Sequence, residues 1–407
     1  MPKVKTKGKL FERGEKMKYK PLYVGLSLML ILGVLLTACA PATQAPAVEV
    51  PEEPAGEEVT YDFAAALAAM EGKVFSTGPS GESPTPASEV TLTDEELEQI
   101  KAMNATAAIV LHYAGNDWST AQVAGLQYQF EKMGIEVIAI TDANFKTEKQ
   151  VADIETVLAK NPNIIVSIPV DPVATSAAYK AAADQGVKIV FMDNIAANLE
   201  QGKDYVSVVS ADNYGNGVAA AHLMAKYVGG AGKIGIVYHE ADFFVTRQRY
   251  EAFKKTIADN YPEIEIVEEQ GIAGPDFAGD GEKAASAMLT KHADLKGIWG
   301  VWDVPAEGIL AAARTMGRED LVITTIDLGL NAAIEIAKGG IIKGLGAQRP
   351  FDQGVTEAIL AGYGLLGKEA PPYVALYALP VEKDNIMAAW ETVYHADPPQ
   401  SLVDAAK

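Results

Sequence analysis

The sequence holds one cysteine, Cys39, in 407 residues, which excludes an intrachain disulfide framework and any zinc site built from cysteines. Histidine is nearly as scarce. The five are scattered, with no pair at helical or strand spacing, so no metal site is expected. Positive charge is also short: 34 basic residues face 54 acidic ones, a net of −20. That balance argues against nucleic acid or an anionic membrane surface as a partner, since both select basic faces. No Walker loop and no Gly-x-Ser-x-Gly string occurs. Two Gly-x-Gly-x-x-Gly strings, Gly230/Gly232/Gly235 and Gly362/Gly364/Gly367, precede a strand and end a helix. Neither sits between strand and helix as a dinucleotide requires, so no cofactor is expected. What is abundant is apolar: 49% of residues against 22% charged, the composition of a folding chain. Its length exceeds what one core usually serves, so two domains or lobes are expected.

The front of the chain reads as an address and not as fold. Residues 1–20 carry eight Lys/Arg, and Leu22 to Leu36 form a 15-residue apolar run broken only by glycine and serine. A membrane span needs about 20 such residues, so this run suits a signal peptide over residues 1–38. It ends in Leu36-Thr37-Ala38-Cys39, which resembles the bacterial lipobox and implies cleavage before Cys39 and lipidation of that cysteine. Met17 opens a more typical signal than Met1 does, so either is a candidate start. The mature chain would keep 26 bases against 52 acids, and would be held to a membrane by lipid rather than by charge. Residues 39–103 read as a flexible acidic tether rich in Pro, Ala and Gly, with one short Ala-rich helix near Tyr61–Met70 of no assigned function.

From Asn104 onward, apolar runs of five to eight residues alternate with amphipathic stretches. Expected strands are Ala107–Tyr113, Ile135–Ile140, Ile164–Val170, Lys188–Asp193 and Tyr205–Ser210. A second series is Lys233–Tyr238, Ile264–Glu268, Gly297–Trp302, Leu321–Asp327 and Ile342–Ala347, and Tyr373–Leu379 comes last. The runs are rich in β-branched residues and nearly continuous, as strands covered on both faces must be. Repeated strand–helix–strand units imply parallel sheets with right-handed crossovers. The expected fold is α/β, with two doubly wound parallel-sheet lobes joined by a multi-strand hinge. The first lobe would comprise 104–209 plus 349–376, and the second 210–348 plus 377–407.

Ligands of such sheets gather at the carboxyl ends of strands, where the strand order reverses. There the sequence offers Asn116, Asp117, Trp118 and Ser119, then Asp171, then Asp193 and Asn194. The second half offers Arg247, Trp302 with Asp303, Asp327 and Gln348. Carboxylates and Arg hold adjacent hydroxyls in bidentate fashion, and indole faces cover the C–H face of a sugar ring. That set fits a neutral monosaccharide or polyol. Each residue also has a plainer reading. An Asp at a strand end caps the next helix, which applies to Asp171 and Asp303. Arg247 alone reads as a helix-surface charge.

In order and spacing the chain resembles the type I periplasmic sugar-binding proteins of the ribose/galactose group, over about residues 105–380. The likeness rests on Asn116-x-Trp118-Ser119, Pro169-Val170-Asp171, Phe191-Met192-Asp193-Asn194, Ser210-Ala211-Asp212-Asn213-Tyr214-Gly215 and Arg247-Gln248-Arg249-Tyr250-Glu251-Ala252-Phe253. It continues in Trp302-Asp303, Ile326-Asp327 and Ala347-Gln348. The resemblance implies sugar contacts at Asn116, Trp118, Asp193, Arg247, Asp327 and Gln348. Ribose-type members carry Arg where this chain has Asn194 and Asn where it has Trp302, so ribose itself is not implied. It further implies a monomeric, non-enzymatic binding protein at the outer face of the cytoplasmic membrane or in the periplasm, delivering solute to an ABC permease. Docking to a chemoreceptor or sensor kinase, carriage of an autoinducer-2 type signal, and a carboxylate-dependent glycosidase remain alternatives.

Overall fold

The computed structural model of the protein describes residues 60–407. The expected signal segment and Cys39 lie outside the described residues. Among the described residues no helix is long and apolar enough to cross a membrane.

Two sheets carry the fold. The first contains β1 (Thr85–Pro86), β2 (Thr106–Leu111), β3 (Glu136–Asp142), β4 (Ile164–Ser167), β5 (Lys188–Met192) and β6 (Ser207–Ala211). The second contains β7 (Gly232–His239), β8 (Ile264–Ile272), β9 (Leu295–Gly300), β10 (Val322–Ile326) and β11 (Ile342–Ala347). The chain then returns to the first sheet with β12 (Tyr373–Leu376) and ends in the second with β13 (Leu379–Glu382). The orders are β1-β12-β6-β5-β4-β2-β3 and β13-β11-β10-β9-β7-β8, all parallel except β13, which runs antiparallel to β11. The central strands are buried along their whole length, β2, β4, β5, β6 and β10 almost without exception, because helices cover both sheet faces. The helix Asn213–Val228 packs on the second sheet and Pro350–Leu366 on the first. The chain therefore passes between sheets three times, after β6, after β11 and after β12.

All eleven expected strands are present. Two more, β1 and β13, are too short and too proline-marked to register as apolar runs. Each sheet has the same switch in strand order. β2 is flanked by β3 on one side and β4 on the other, and β7 by β8 and β9. The loops after β2, β4, β7 and β9 diverge there and leave a crevice at the carboxyl edge.

Part of the expected tether is not a tether. Residues 60–103 pack against both lobes. Tyr61 and Phe63 meet Tyr261, at ring-centroid distances of 5.1 and 5.8 Å. The backbone N–H groups of Phe75 and Ser76 donate to the two carboxylate oxygens of Asp212, both at 2.9 Å. Thr85 and Pro86 pair with Val374 and Ala375, and the helix Asp94–Met103, closed by a Thr93/Glu96 capping box, packs on Pro350–Leu366. Buried partners order a segment whose composition alone reads as solvated, because Asp212 and the β12 edge satisfy its backbone.

Candidate functional site

The carboxyl edges of the two sheets face each other across a cavity of about 270 Å³. At its base lie two aspartates in equivalent positions. Asp193 follows β5 and Asp327 follows β10, and both adopt left-handed backbone, with φ of 54° and 73°. Asp tolerates this conformation better than any non-glycine residue except Asn, and here it turns each carboxylate off its strand end into the cavity.

A hydrogen-bond chain joins them across the hinge. Ser210 Oγ donates to Asp193 Oδ1 at 2.7 Å, and Asn213 Nδ2 donates to Ser210 Oγ at 3.0 Å. Arg249 Nε donates to Asn213 Oδ1 at 2.8 Å, while its Nη1 reaches Asp327 Oδ2 at 3.4 Å. Gln348 Nε2 closes the chain on Asp327 Oδ1 at 2.5 Å. All six residues are buried. Burial pushes the Asp193 carboxyl up to about 6, against the pull of Ser210 and the Arg249 charge.

The mouth of the cavity is aromatic. Trp118, Tyr113 and Phe145 come from the first lobe, and Phe243, Phe277 and Trp302 from the second. Phe145 meets Phe277 edge-to-face across the lobes at 5.5 Å, and Phe277 meets Trp302 at 4.9 Å. His112, just beyond β2, and His239, the last residue of β7, also line the cavity. Burial holds their imidazoles down at about 3 and about 4, helped by the mutual charge at His112 and by Arg249 at His239. Both are neutral at neutral pH.

Of the residues singled out from the sequence, Asn116, Trp118, Asp193, Trp302, Asp327 and Gln348 line the cavity together. The others do not. Arg247 is half exposed and paired with Asp242 on the outer face of its helix. Arg249, two residues on, points inward, since residues two apart on a helix lie about 200° apart. Ser119 is buried as scaffold: its Oγ lies 2.7 Å from both Tyr113 O and Asn116 Oδ1. Asp171 is exposed and accepts from the N–H groups of Val173 and Ala174 in a turn. Asp117 accepts from Leu330 N–H at 2.8 Å, a bond between the lobes. Asn194 is buried away from the cavity, with neither side-chain polar atom partnered among the described residues. Asp303 sits behind the cavity, in a narrow cleft with Trp118, Asp327 and Tyr394. Its carboxyl is pushed well up by burial and by the Asp327 charge.

Sequence reasoning missed Arg249, the two histidines and three phenylalanines. For Arg249 a signal existed. Val245, Gln248, Arg249, Ala252, Phe253 and Thr256 form one buried helical stripe, which excludes Arg247. Nothing comparable marked His112 or Phe145. Among the described residues no cluster of His, Cys, Asp and Glu could hold a metal ion.

Residues 107–369, which include strands of both sheets and every cavity-lining residue, match the family described as Periplasmic binding protein domain. The chain belongs to the periplasmic binding protein family. The ribose import binding protein of Salmonella typhimurium is 25% identical over 267 residues, 65% of this chain and 86% of that protein. A ribose import binding protein of Bacillus subtilis is 31% identical over 202 residues, 49% of this chain and 62% of its own length. Among solved structures, an ABC transporter solute-binding protein of Agrobacterium vitis bound to α-D-tagatopyranose superposes with a TM-score of 0.65. It is 22% identical and covers 71% of this chain and 99% of its own. One from Actinobacillus succinogenes with bound D-allose gives 0.62 at 23% identity, covering 69% and 99%. These neighbours establish the type I periplasmic binding protein fold for the region they cover, and the relatives are solute-binding proteins rather than enzymes. Against this family frame, Arg249 and not Arg247 is the guanidinium presented to the cleft.

Proposed function

We propose that the protein captures a neutral monosaccharide or polyol between its two lobes and delivers it to an ABC permease, as a monomer held to the outer face of the cytoplasmic membrane through lipid on Cys39. The observation that carries the ligand class is the chain Asp193–Ser210–Asn213–Arg249–Asp327–Gln348 beneath the indoles of Trp118 and Trp302. Carboxylate, amide and guanidinium groups on fixed backbone suit several hydroxyls at once, and the indoles suit C–H faces. One buried cation among the carboxylates argues against an anionic ligand, because an unpaired buried charge is costly. Asn116, Trp118, Asp193, Arg249, Trp302, Asp327 and Gln348 are the proposed contacts. The names of the relatives support the reading: ribose import, D-apiose import, and structures holding D-allose or tagatopyranose.

A thermal-shift screen over pentoses, hexoses, polyols, sugar acids and amino acids tests it. Stabilisation by a neutral sugar or polyol is the expected result, and a response confined to sugar acids or amino acids sinks it. For the anchor, Cys39→Ser should leave an unprocessed precursor without lipid label. Equal labelling of wild type and variant refutes it.

A further inference from the structure

The sequence contains five histidines, and four of them are engaged by the protein itself. His222 Nδ1 lies 2.7 Å from Tyr261 Oη, and His239 Nδ1 lies 3.2 Å from Thr246 Oγ1. His292 Nε2 meets Glu268 at 3.1 Å and His395 Nε2 meets Asp352 at 2.7 Å. His112 is the exception. The residue is only 9% exposed, and its Nδ1 is enclosed with no partner among the described residues. An imidazole in either tautomer presents one donor and one acceptor, so burial without a partner is unfavourable. Nδ1 is closed off from the cavity too, so the nitrogen open to a cavity ligand is Nε2, which is not enclosed and has no protein partner among the described residues.

Three rings fix its orientation. Trp118 and Phe145 meet it edge-on at centroid distances of 6.1 and 5.0 Å, and Phe243 of the opposite lobe stacks on it at 6.0 Å. A side chain held on three sides and left unbonded is preorganised for something outside the protein. The surroundings state what that something is. A charged group would lose its hydration against aromatic carbon with no counter-ion at hand, whereas a hydroxyl flanked by C–H surface would not. The imidazole is itself neutral at working pH.

We propose that His112 is a ligand-binding residue that fixes one hydroxyl of the bound sugar or polyol, with Trp118, Phe145 and Phe243 covering the C–H surface on either side of that hydroxyl. The inference rests on the sugar reading of the cleft and adds a specificity determinant at its aromatic end. The base of the cavity recognises several hydroxyls through charge. His112 recognises one through a neutral hydrogen bond, and a site of that kind discriminates strongly against a ligand lacking the group.

The test uses titration calorimetry on the full chain with D-ribose, D-allose, D-tagatose and allitol, then with monodeoxy forms of whichever binds. His112→Phe keeps the ring packing and removes both nitrogens. The expected result is a tenfold or greater loss of affinity for His112→Phe, with His112→Gln recovering part of it. One monodeoxy sugar should bind wild type as weakly as the variant binds the parent, with no further loss in the variant. Affinity within twofold of wild type in both His112→Phe and His112→Gln overturns the assignment while leaving the sugar reading intact. So do losses that simply add for every deoxy sugar. If wild type binds none of the four probes nor any other neutral sugar or polyol, the two readings fall together. Unligated melting temperatures of both variants show whether either has failed to fold, and the other then carries the comparison.

Discussion

Asp193 and Asp327 hold left-handed backbone, a conformation that costs roughly 1–3 kcal/mol at a non-glycine position and persists when the surroundings enforce it. In both cases the enforcement is a ladder bond just past the strand end: Asp193 N–H donates to Val209 O at 2.8 Å and Asp327 N–H to Gly346 O at 3.1 Å. Replacing Asp193 by Ala removes an acceptor from a charge-assisted network. It should weaken sugar binding by roughly 2–4 kcal/mol, read by calorimetry, while Asp193→Asn retains part of the affinity. The two arginines make a sharper contrast. Arg249→Ala should abolish a measurable thermal shift, and Arg247→Ala, a solvent-facing change, should leave affinity within about twofold. The histidine has its own signature. A folded-state value lowered to about 3 means that the unfolded chain binds the extra proton first as pH falls below 6.5. Stability attributable to neutral His112 is therefore intact above pH 6.5 and lost progressively toward pH 3. Relative to His112→Phe, wild type should lose about 2–3 kcal/mol between neutrality and pH 4.5, measured by denaturant unfolding. Asp193 acts with the opposite sign, since its cost is in place above about 6 and fades as pH falls, but it is common to both proteins and cancels in the difference.

Strands and helices were the most legible level of the sequence. Short, β-branched apolar runs such as Ile164-Ile165-Val166 suit a doubly covered strand, and this one forms β4. Within residues 60–103 the Ala-rich helix was legible and forms as Phe63–Ala68, whereas the packing of the segment was not, for the converse reason. Its order comes from partners far along the chain, and local composition carries no trace of them. Asp212 is the clearest case: it is the N-cap of Asn213–Val228, accepting from Gly215 N–H at 2.8 Å. It also accepts from the Phe75 and Ser76 backbone and from Ser76 Oγ, at 2.9, 2.9 and 2.8 Å. One carboxylate thus satisfies the helix end and the strap that crosses it. Asp212→Ala leaves several buried donors unmet and should cost roughly 3 kcal/mol or more, with residues 70–90 becoming the first site of limited proteolysis. An unchanged melting temperature and digestion pattern would show that the strap is held by its apolar contacts alone.

At the scale of the molecule, the two-sheet architecture followed from strand rhythm, and the family from the resemblance carried by the ordered motifs at the strand ends. The cavity's composition followed only in part. Polar strand-end residues announce themselves because an Asp or Gln in an apolar context is unusual, whereas Phe145, Phe243 and Phe277 resemble core residues until the second lobe is set against the first. Contacts between lobes belong to the folded whole and leave no local pattern. One of them, Asp117 to Leu330 N–H, bridges the cleft without touching its contents. Asp117→Ala should shift the population toward open forms and weaken sugar affinity a few-fold, visible as a larger radius of gyration by small-angle scattering before ligand is added.

The hydrogen-bond chain beneath the cleft also bears on how fast the protein can let go. Asp327 already has Gln348 and Arg249, and Asp193 already has Ser210, with Gln353 at 3.3 Å. An arriving hydroxyl therefore trades against internal partners rather than against naked charge, and each bond surrendered on departure has a replacement within reach. Capture becomes an exchange reaction. Its equilibrium is set by a difference between two well-satisfied states, and its reverse step avoids the stranded carboxylate that would otherwise make unloading slow. If the proposed delivery holds, cargo must leave as readily as it enters, and a cleft base whose two carboxylates are already bonded within the protein suits that exchange.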